Sequence, residues 1–536
     1  MKLSNKLLST EEEFNCESTL NGTSIKGAYN TMRFVLRLSD DIRFALDSEF
    51  EPEKIQASST VIHENIHWWQ HIGSNFGLLF SLVYPAFAHS TNKNLSRIIS
   101  SGYKYKSIKK FDEHYYKKHN KSDIGDINMI LNNFYDLEYA KLFALDNKNI
   151  EHILKDRRFF LNIGHSYHIL WSNTIHTLAS TIDPKYNFLP KVNNWLSHFK
   201  KLEENKVTGF HIDSDIYISP LGIKAIYEGQ AIFNQLQYLT LALNEELTYE
   251  DFENYGMLHG IYIEAFEFFL KTTQLNKPSK LLNPVVGLFL FACDLSINPN
   301  NGFPNEIYDI NNFISKNDPG IRFYSICNKI SEDPNAYINI VNRYSKEEYI
   351  NLSKKLSEGI GCKCYYESIN DVLTWSKFQE VSSILKEEEE LKYSYENLPI
   401  RLIFSKYYRF QEDKYKYPNV FCWFGFHATS KNSNIDFKSM NDLFNKHHAL
   451  YTDDIDGEIK PTLYKGKSEK NIMDTFNTFY QFNILYDLIF KWVSEEGEFN
   501  FDYKWLFNKR AETEIPAIKD MLEKYFNIAL DEIKIL

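Results

Sequence analysis

The sequence predicts a mainly helical protein with a small β element near its N-terminus and an α+β region at its C-terminus. Three observations lead there. Long stretches without a helix breaker, such as 58–72 and 221–243, carry apolar residues on a helical pattern. Residues 31 to 48, "TMRFVLRLSDDIRFALDS", read as two short strands around a turn at "SDD". Beyond residue 398, "PIRLIFSKYYRF" and "YPNVFCWFGFHAT" look like strands.

The elements follow in order. Ser58, Ser59 or Thr60 caps a helix that carries "VIHENIHWWQH", residues 61 to 71, with no breaker before Gly73. Residues 127–147 and 158–182 read as helices. Pro220 precedes a helix over 221–243, and two more cover 255–271 and 284–297. The pattern fades at "INPNNGFPNEIYDINNF" and resumes after "NDPG". The acidic run "KEEEELKYSYENLP", residues 386 to 399, is the best boundary, and a last helix follows from Asn471. The expected division is a catalytic domain over 1–330 with a helical insertion at about 90–215, a helical connector over 331–395, and a C-terminal α+β domain over 396–536. That last domain carries no readable motif and is assigned to recognition of a protein partner or to scaffolding.

The chain has 536 residues, 43% of them hydrophobic and 16% aromatic, enough to bury more than one core. Its net charge of −11 argues against a nucleic-acid partner and against an anionic membrane surface. The local exception is "YKYKSIKKFDEHYYKKHNK", residues 103 to 121, with seven lysines among aromatics. A solvated helix or loop is the plain reading, and a phosphate-rich ligand the sharper one. The N-terminal residues lack an apolar signal region. The longest apolar run, Phe76 to Ala88, is too short to span a bilayer and contains Pro85. Six scattered cysteines, Cys16, Cys293, Cys327, Cys362, Cys364 and Cys422, fit reduced thiols in a cytoplasm. Cys362 and Cys364 form a lone C-x-C with no matching pair.

The chemistry concentrates in "HENIH". Residues four apart on a helix share one face, so the imidazoles of His63 and His67 can converge on one ion. Glu64 stands beside the first ligand and reaches the reacting water instead of the ion, which is the mechanical content of H-E-x-x-H. The plain alternative is a helix whose histidines bond neighbouring carbonyls and whose glutamate faces water. Against it, Val61, Ile62, Ile66, Trp68 and Trp69 surround the polar triplet, and a buried glutamate is costly unless a cation is near. A catalytic zinc takes three protein ligands and keeps one position open. Glu228 in "IYEGQAIFNQ" is the best third ligand, because a carboxylate in that apolar helix needs a reason. Gly229 beside it lets a backbone or a substrate come close. His165, His168, His176, His259, Glu264, Glu267 and Asp294 are further candidates. Tyr227, Tyr255, Tyr262 and Arg322 are candidate donors to a developing oxyanion.

"HENIHWW" with a downstream "EGQA" resembles the gluzincin metallopeptidases, which carry H-E-x-x-H on one helix and a glutamate on a second. The large aminopeptidases of that clan also place a tryptophan two residues after the second histidine, where Trp69 stands. The resemblance implies a zincin-like catalytic core, with one zinc per chain held by His63, His67 and Glu228. It implies Glu64 as general base and a peptide or protein as substrate. Two other readings stay open. Di-iron carboxylate bundles, the oxidase class, also use E-x-x-H, but no second copy of that motif occurs here. A metal-stabilised binding or scaffold protein without catalysis is the other.

Overall fold

The structure is a computed structural model. It describes residues 3, 4, 7, 27–30, 33–121, 125–156, 158–159, 163–204, 219–244, 247–429, 436–455 and 457–536, and the chain over them is mainly helical. Cys16 lies outside the described residues, as do parts of the 90–215 segment. The strands are β1 (Gly27–Asn30), β2 (Val35–Leu38), β3 (Tyr105–Lys106), β4 (Tyr451–Asp453), β5 (Ile459–Pro461) and β6 (Lys534–Ile535). The principal helices are α1 (Asp40–Leu46), α2 (Glu51–Gly73), α3 (Val83–Ser100), α4 (Asp126–Leu145), α5 (Ile163–Ile182), α6 (Ile223–Ala242), α7 (Ile261–Thr273), α8 (Pro284–Ser296), α9 (Pro319–Glu332), α10 (Gln379–Glu390), α11 (Leu398–Lys416) and α12 (Glu469–Ser494).

The motif helix α2 begins two turns before the expected serine and threonine caps. Pro52 sits in its first turn, where its missing N–H is no loss, and Glu51 and Glu53 oppose the helix dipole. Ser59 lies inside the helix instead, and its hydroxyl donates to Gln56 O at 2.6 Å. Gly73 is the last residue, and Ser74 turns the chain by capping the next short helix at Gly77 N.

The two strands expected around "SDD" fall earlier. β1 and β2 pair antiparallel from Gly27↔Leu38 to Asn30↔Val35. Ser39 and the acidic pair Asp40 and Asp41 open α1, a helix start in place of a turn. The sheet order is β1-β2-β4-β5, with β2 and β4 parallel and β4 and β5 antiparallel. A hairpin from the C-terminal region thus extends an N-terminal one.

α2 is the central element, and every residue from Ile62 to Gly73 is buried. It packs on α6, α1, β1, β2 and α11. Its back face is tied to residues 447–449 just before β4. Asn65 donates to His447 O at 3.4 Å and accepts from Ala449 N at 2.9 Å, while Trp69 Nε1 donates to His447 O at 2.8 Å. The Trp69 ring meets Phe410, Phe421, Phe424 and Phe444 edge-on. Trp69→Ala is expected to lower stability by about 3–5 kcal/mol, the usual range for truncating a buried tryptophan. Thermal unfolding followed by circular dichroism checks this, and an unchanged melting temperature contradicts it.

The stretches read as strands after residue 398 are helical: α11 and the short helices Pro418–Cys422 and Phe424–His427. Pro399 sits in the first turn of α11, and burial on most sides overrides the strand preference of its aromatic and branched residues. The acidic run at 386–399 joins two packed helices. Glu387 pairs with Arg401 (3.1 Å), and Glu388 with Lys406 (2.8 Å) and Arg409 (3.1 Å), so the end of α10 is fastened to α11. From the 90–215 segment, α4 and α5 pack on each other and on α3, and α5 also reaches α11. The basic stretch at 103–121 forms β3 and a helix, Ile108–His119. There Lys106 Nζ is consumed by the carbonyls of Glu495, Gly497 and Glu498. Among the described residues no helix is long and apolar enough to cross a membrane.

Candidate metal centre

One helical turn separates His63 from His67 on α2, and their Nε2 atoms come to 3.2 Å of each other. Glu228 enters from α6, which packs along α2. Its Oε2 lies 3.3 Å from His63 Nε2 and 3.4 Å from His67 Nε2. The three ligand atoms all lie within 4.8 Å of one another, the one such group among the described residues. Residues 68 to 227 separate the two segments in the chain, yet helix packing makes them neighbours. Gly229 serves this packing. A Cβ there would stand 3.1 Å from the Phe289 ring of α8 and 3.4 Å from Ala265 of α7. The close approach is therefore to side chains, not to a backbone or substrate.

The electrostatics suit a cation. Burial alone pulls the His67 imidazole down, but the Glu228 carboxylate, Glu64 and Gln70 outweigh it and hold a proton on the ring. Burial alone would raise the Glu228 carboxyl, yet the two imidazoles keep it ionised. Without a metal, the partly buried carboxylate is thus balanced by a proton that an ion can displace. Glu64 is 2% exposed and receives no hydrogen bond from a described residue. Burial pushes its carboxyl up to about 6, against the pull of His63 and His67 and with a smaller push from Glu228. It stands outside the three converging atoms, as its position one residue along the helix requires.

A second layer holds the histidines, and the sequence reading missed it. His63 Nδ1 meets Gln235 Oε1 at 3.1 Å, and His67 Nδ1 meets Gln70 Oε1 at 2.8 Å. The spacing held a clue. Gln70 is three residues from His67, and Gln235 is seven from Glu228, so each shares its ligand's helix face. The residues present therefore fit one zinc ion: two buried imidazole nitrogens and one partly buried carboxylate oxygen, convergent, with the imidazoles backed by hydrogen-bonded partners.

The other candidates sit elsewhere. His165 faces Asp136 at 3.5 Å. His168 stacks on Phe199 at 4.0 Å, and burial pushes it down to about 4. His176 bonds the Tyr186 hydroxyl at 3.0 Å. Glu264 and Glu267 lie on α7 outside the converging group, and Asp294 accepts from the Tyr349 hydroxyl at 2.6 Å. Arg322 caps the C-terminal carbonyls of α8, with bonds to Leu295 O and Ser296 O. Tyr227 directs its hydroxyl at Gln70 O, 3.5 Å away, and Tyr255 ends the short helix Tyr249–Asn254. Tyr262 is the oxyanion candidate whose ring lies against the cluster, 6.0 Å from that of His63, with His259 5.6 Å behind it. Cys293, Cys327, Cys362, Cys364 and Cys422 are free thiols, and the C-x-C pair belongs to no metal-ligating group among the described residues. Comparison with protein-family models, with curated proteins and with solved structures found no match to this chain.

Proposed function

We propose that this protein is a zinc-dependent hydrolase acting on peptide bonds. The observation that carries the reading is the convergence of Glu228 with both histidine Nε2 atoms, while Glu64 lies buried beside them, one residue along from His63. His63, His67 and Glu228 hold the ion, and a set of this composition leaves a fourth position for substrate or water. The bound zinc supplies a Lewis acid that polarises a carbonyl and acidifies water. Glu64 takes the proton of the attacking water and delivers it to the leaving amine nitrogen. A carboxyl held near 6 is ionised at neutral pH, ready to accept, and basic enough to give the proton onward. Tyr262, whose ring lies 6.0 Å from that of His63, is the candidate donor to the developing oxyanion in this reading. An extended peptide can add its backbone to an exposed sheet edge. β1 is the outer strand of its sheet and packs on α2, which supports pairing of a peptide backbone there.

A second reading, a metal clamp that holds α2 against α6 without catalysis, is favoured by the burial of His63 and Glu64 at 4% and 2% exposure. A single convergent group among the described residues supports one ion over a di-iron pair. Proteomic comparison of cells expressing wild type or Glu64→Gln separates the first two readings. New protein termini that appear with wild type alone support the peptidase. Identical termini in both, with the same biological effect, favour the clamp.

A further inference from the structure

The amides around the two histidines have a determined orientation, because each ends on a group with a fixed role. Gln70 Nε2 lies 2.9 Å from Tyr227 O, a backbone carbonyl that can only accept, and 2.9 Å from Gln230 Oε1. The Gln70 nitrogen therefore points there, and its oxygen must face His67 Nδ1. The Ser59 hydroxyl donates to Gln56 O, so its oxygen accepts from Gln235 Nε2 at 3.0 Å. That turns Gln235 Oε1 to His63 Nδ1. An amide oxygen cannot donate, so both Nδ1 atoms must carry the proton. The lone pairs available for an ion are then the two Nε2 atoms, which face each other and Glu228.

We infer that Gln70 and Gln235 are positioning residues that fix both ligand histidines in the Nδ1–H tautomer through neutral amide acceptors. Gln230, Ser59 and Gln56 hold those amides in place. The inference rests on the metal reading above. Its chemical content lies in the absence of charge. A carboxylate at the same place would draw the Nδ1 proton toward itself and make the imidazole a stronger ligand, and an amide does this less. The pair thus sets ring orientation while leaving the donors moderate in strength.

Gln235 is the better site for a test. Gln70 donates to two buried acceptors, Tyr227 O and Gln230 Oε1, so replacing it takes a donor from each and threatens the fold. Gln235 donates only to Ser59, whose hydroxyl keeps its own bond to Gln56 O when that donor is removed. The readouts are zinc affinity, by competition with a chromophoric chelator, and the visible spectrum of the cobalt-substituted protein. Gln235→Leu should weaken zinc binding by on the order of 10- to 100-fold and shift the cobalt bands. Gln235→Glu should restore affinity to the wild-type level or tighter. Gln237 is buried on the same helix and donates to Leu281 O, with no contact to either histidine. Gln237→Leu should therefore leave affinity and spectrum unchanged even where it lowers stability. Wild type that binds zinc while Gln235→Leu binds it equally well overturns this inference alone. Equal weakening by Gln237→Leu does the same, since the effect would then follow general destabilisation. Wild type that binds no zinc overturns both this inference and the metal reading beneath it.

Discussion

Glu64→Gln is expected to reduce peptide-bond hydrolysis by a factor on the order of 10² to 10⁴ while leaving zinc content unchanged. Glutamine keeps the shape of the side chain but cannot take a proton from water at neutral pH. The ligands His63, His67 and Glu228 are untouched, so a merely structural site would lose nothing. The same variant has a second signature in the metal-free protein. The Glu64 carboxyl is raised by burial from 4.5 to about 6. A carboxyl whose pKa rises on folding favours the fold while it is protonated. That contribution is whole below pH 4.5 and is lost as pH rises through 6. Above pH 6 the buried charge costs wild type about 2 kcal/mol, from about 1.4 kcal/mol per pKa unit. Glutamine carries no charge to bury. Under chelator, Glu64→Gln should therefore gain stability over wild type between pH 4.5 and 6 and keep the gain above. Melting curves from pH 4 to 8 test this, and a variant that is less stable at pH 7 contradicts the assignment.

Glu228→Ala carries the second large effect. It removes one of three ligands, so zinc affinity should fall by more than about 100-fold, the upper end for losing an outer partner alone. His67→Ala should do the same. Neither should unfold the protein outright. Without Glu228, burial of His67 has no carboxylate of that strength to oppose it, and the ring turns neutral instead of leaving a lone buried charge. Chelator competition on the two variants side by side is the check. A fully loaded Glu228→Ala beside an empty His67→Ala would place the third ligand elsewhere. His168 and His176 then follow for testing, although both already have ring or hydroxyl partners.

How far the site was legible depended on what kind of signal each residue leaves. His63 and His67 announce themselves by spacing, because four residues is one helical turn. Glu228 was legible from its surroundings, since a carboxylate in an apolar helix demands a partner. Gln70 and Gln235 were not, because amides inside helices are ordinary and only the packing of α2 on α6 shows what they face. Tyr262 could be named only as one tyrosine among several until its ring was seen against His63. In the fold, α6 and α8 follow from apolar period and flanking glycine or proline. The start of α2 was misplaced because three hydroxyl residues look like a cap, while Pro52 and two glutamates set the true beginning. The first turns after residue 398 were misread because a helix buried on most faces shows no clean period. The pairing of Val35 with Tyr451 leaves no local trace at all, as a parallel contact between distant segments must be found by the fold.

Elemental analysis of the purified chain reaches the central claim most directly. One set of two histidines and one glutamate predicts about one zinc per chain, lost on His67→Ala. Two irons per chain would point to a di-iron bundle instead. No transition metal after expression in metal-supplemented medium would contradict the account, and the His63–His67–Glu228 cluster would then stand as an ion pair with no metal to hold.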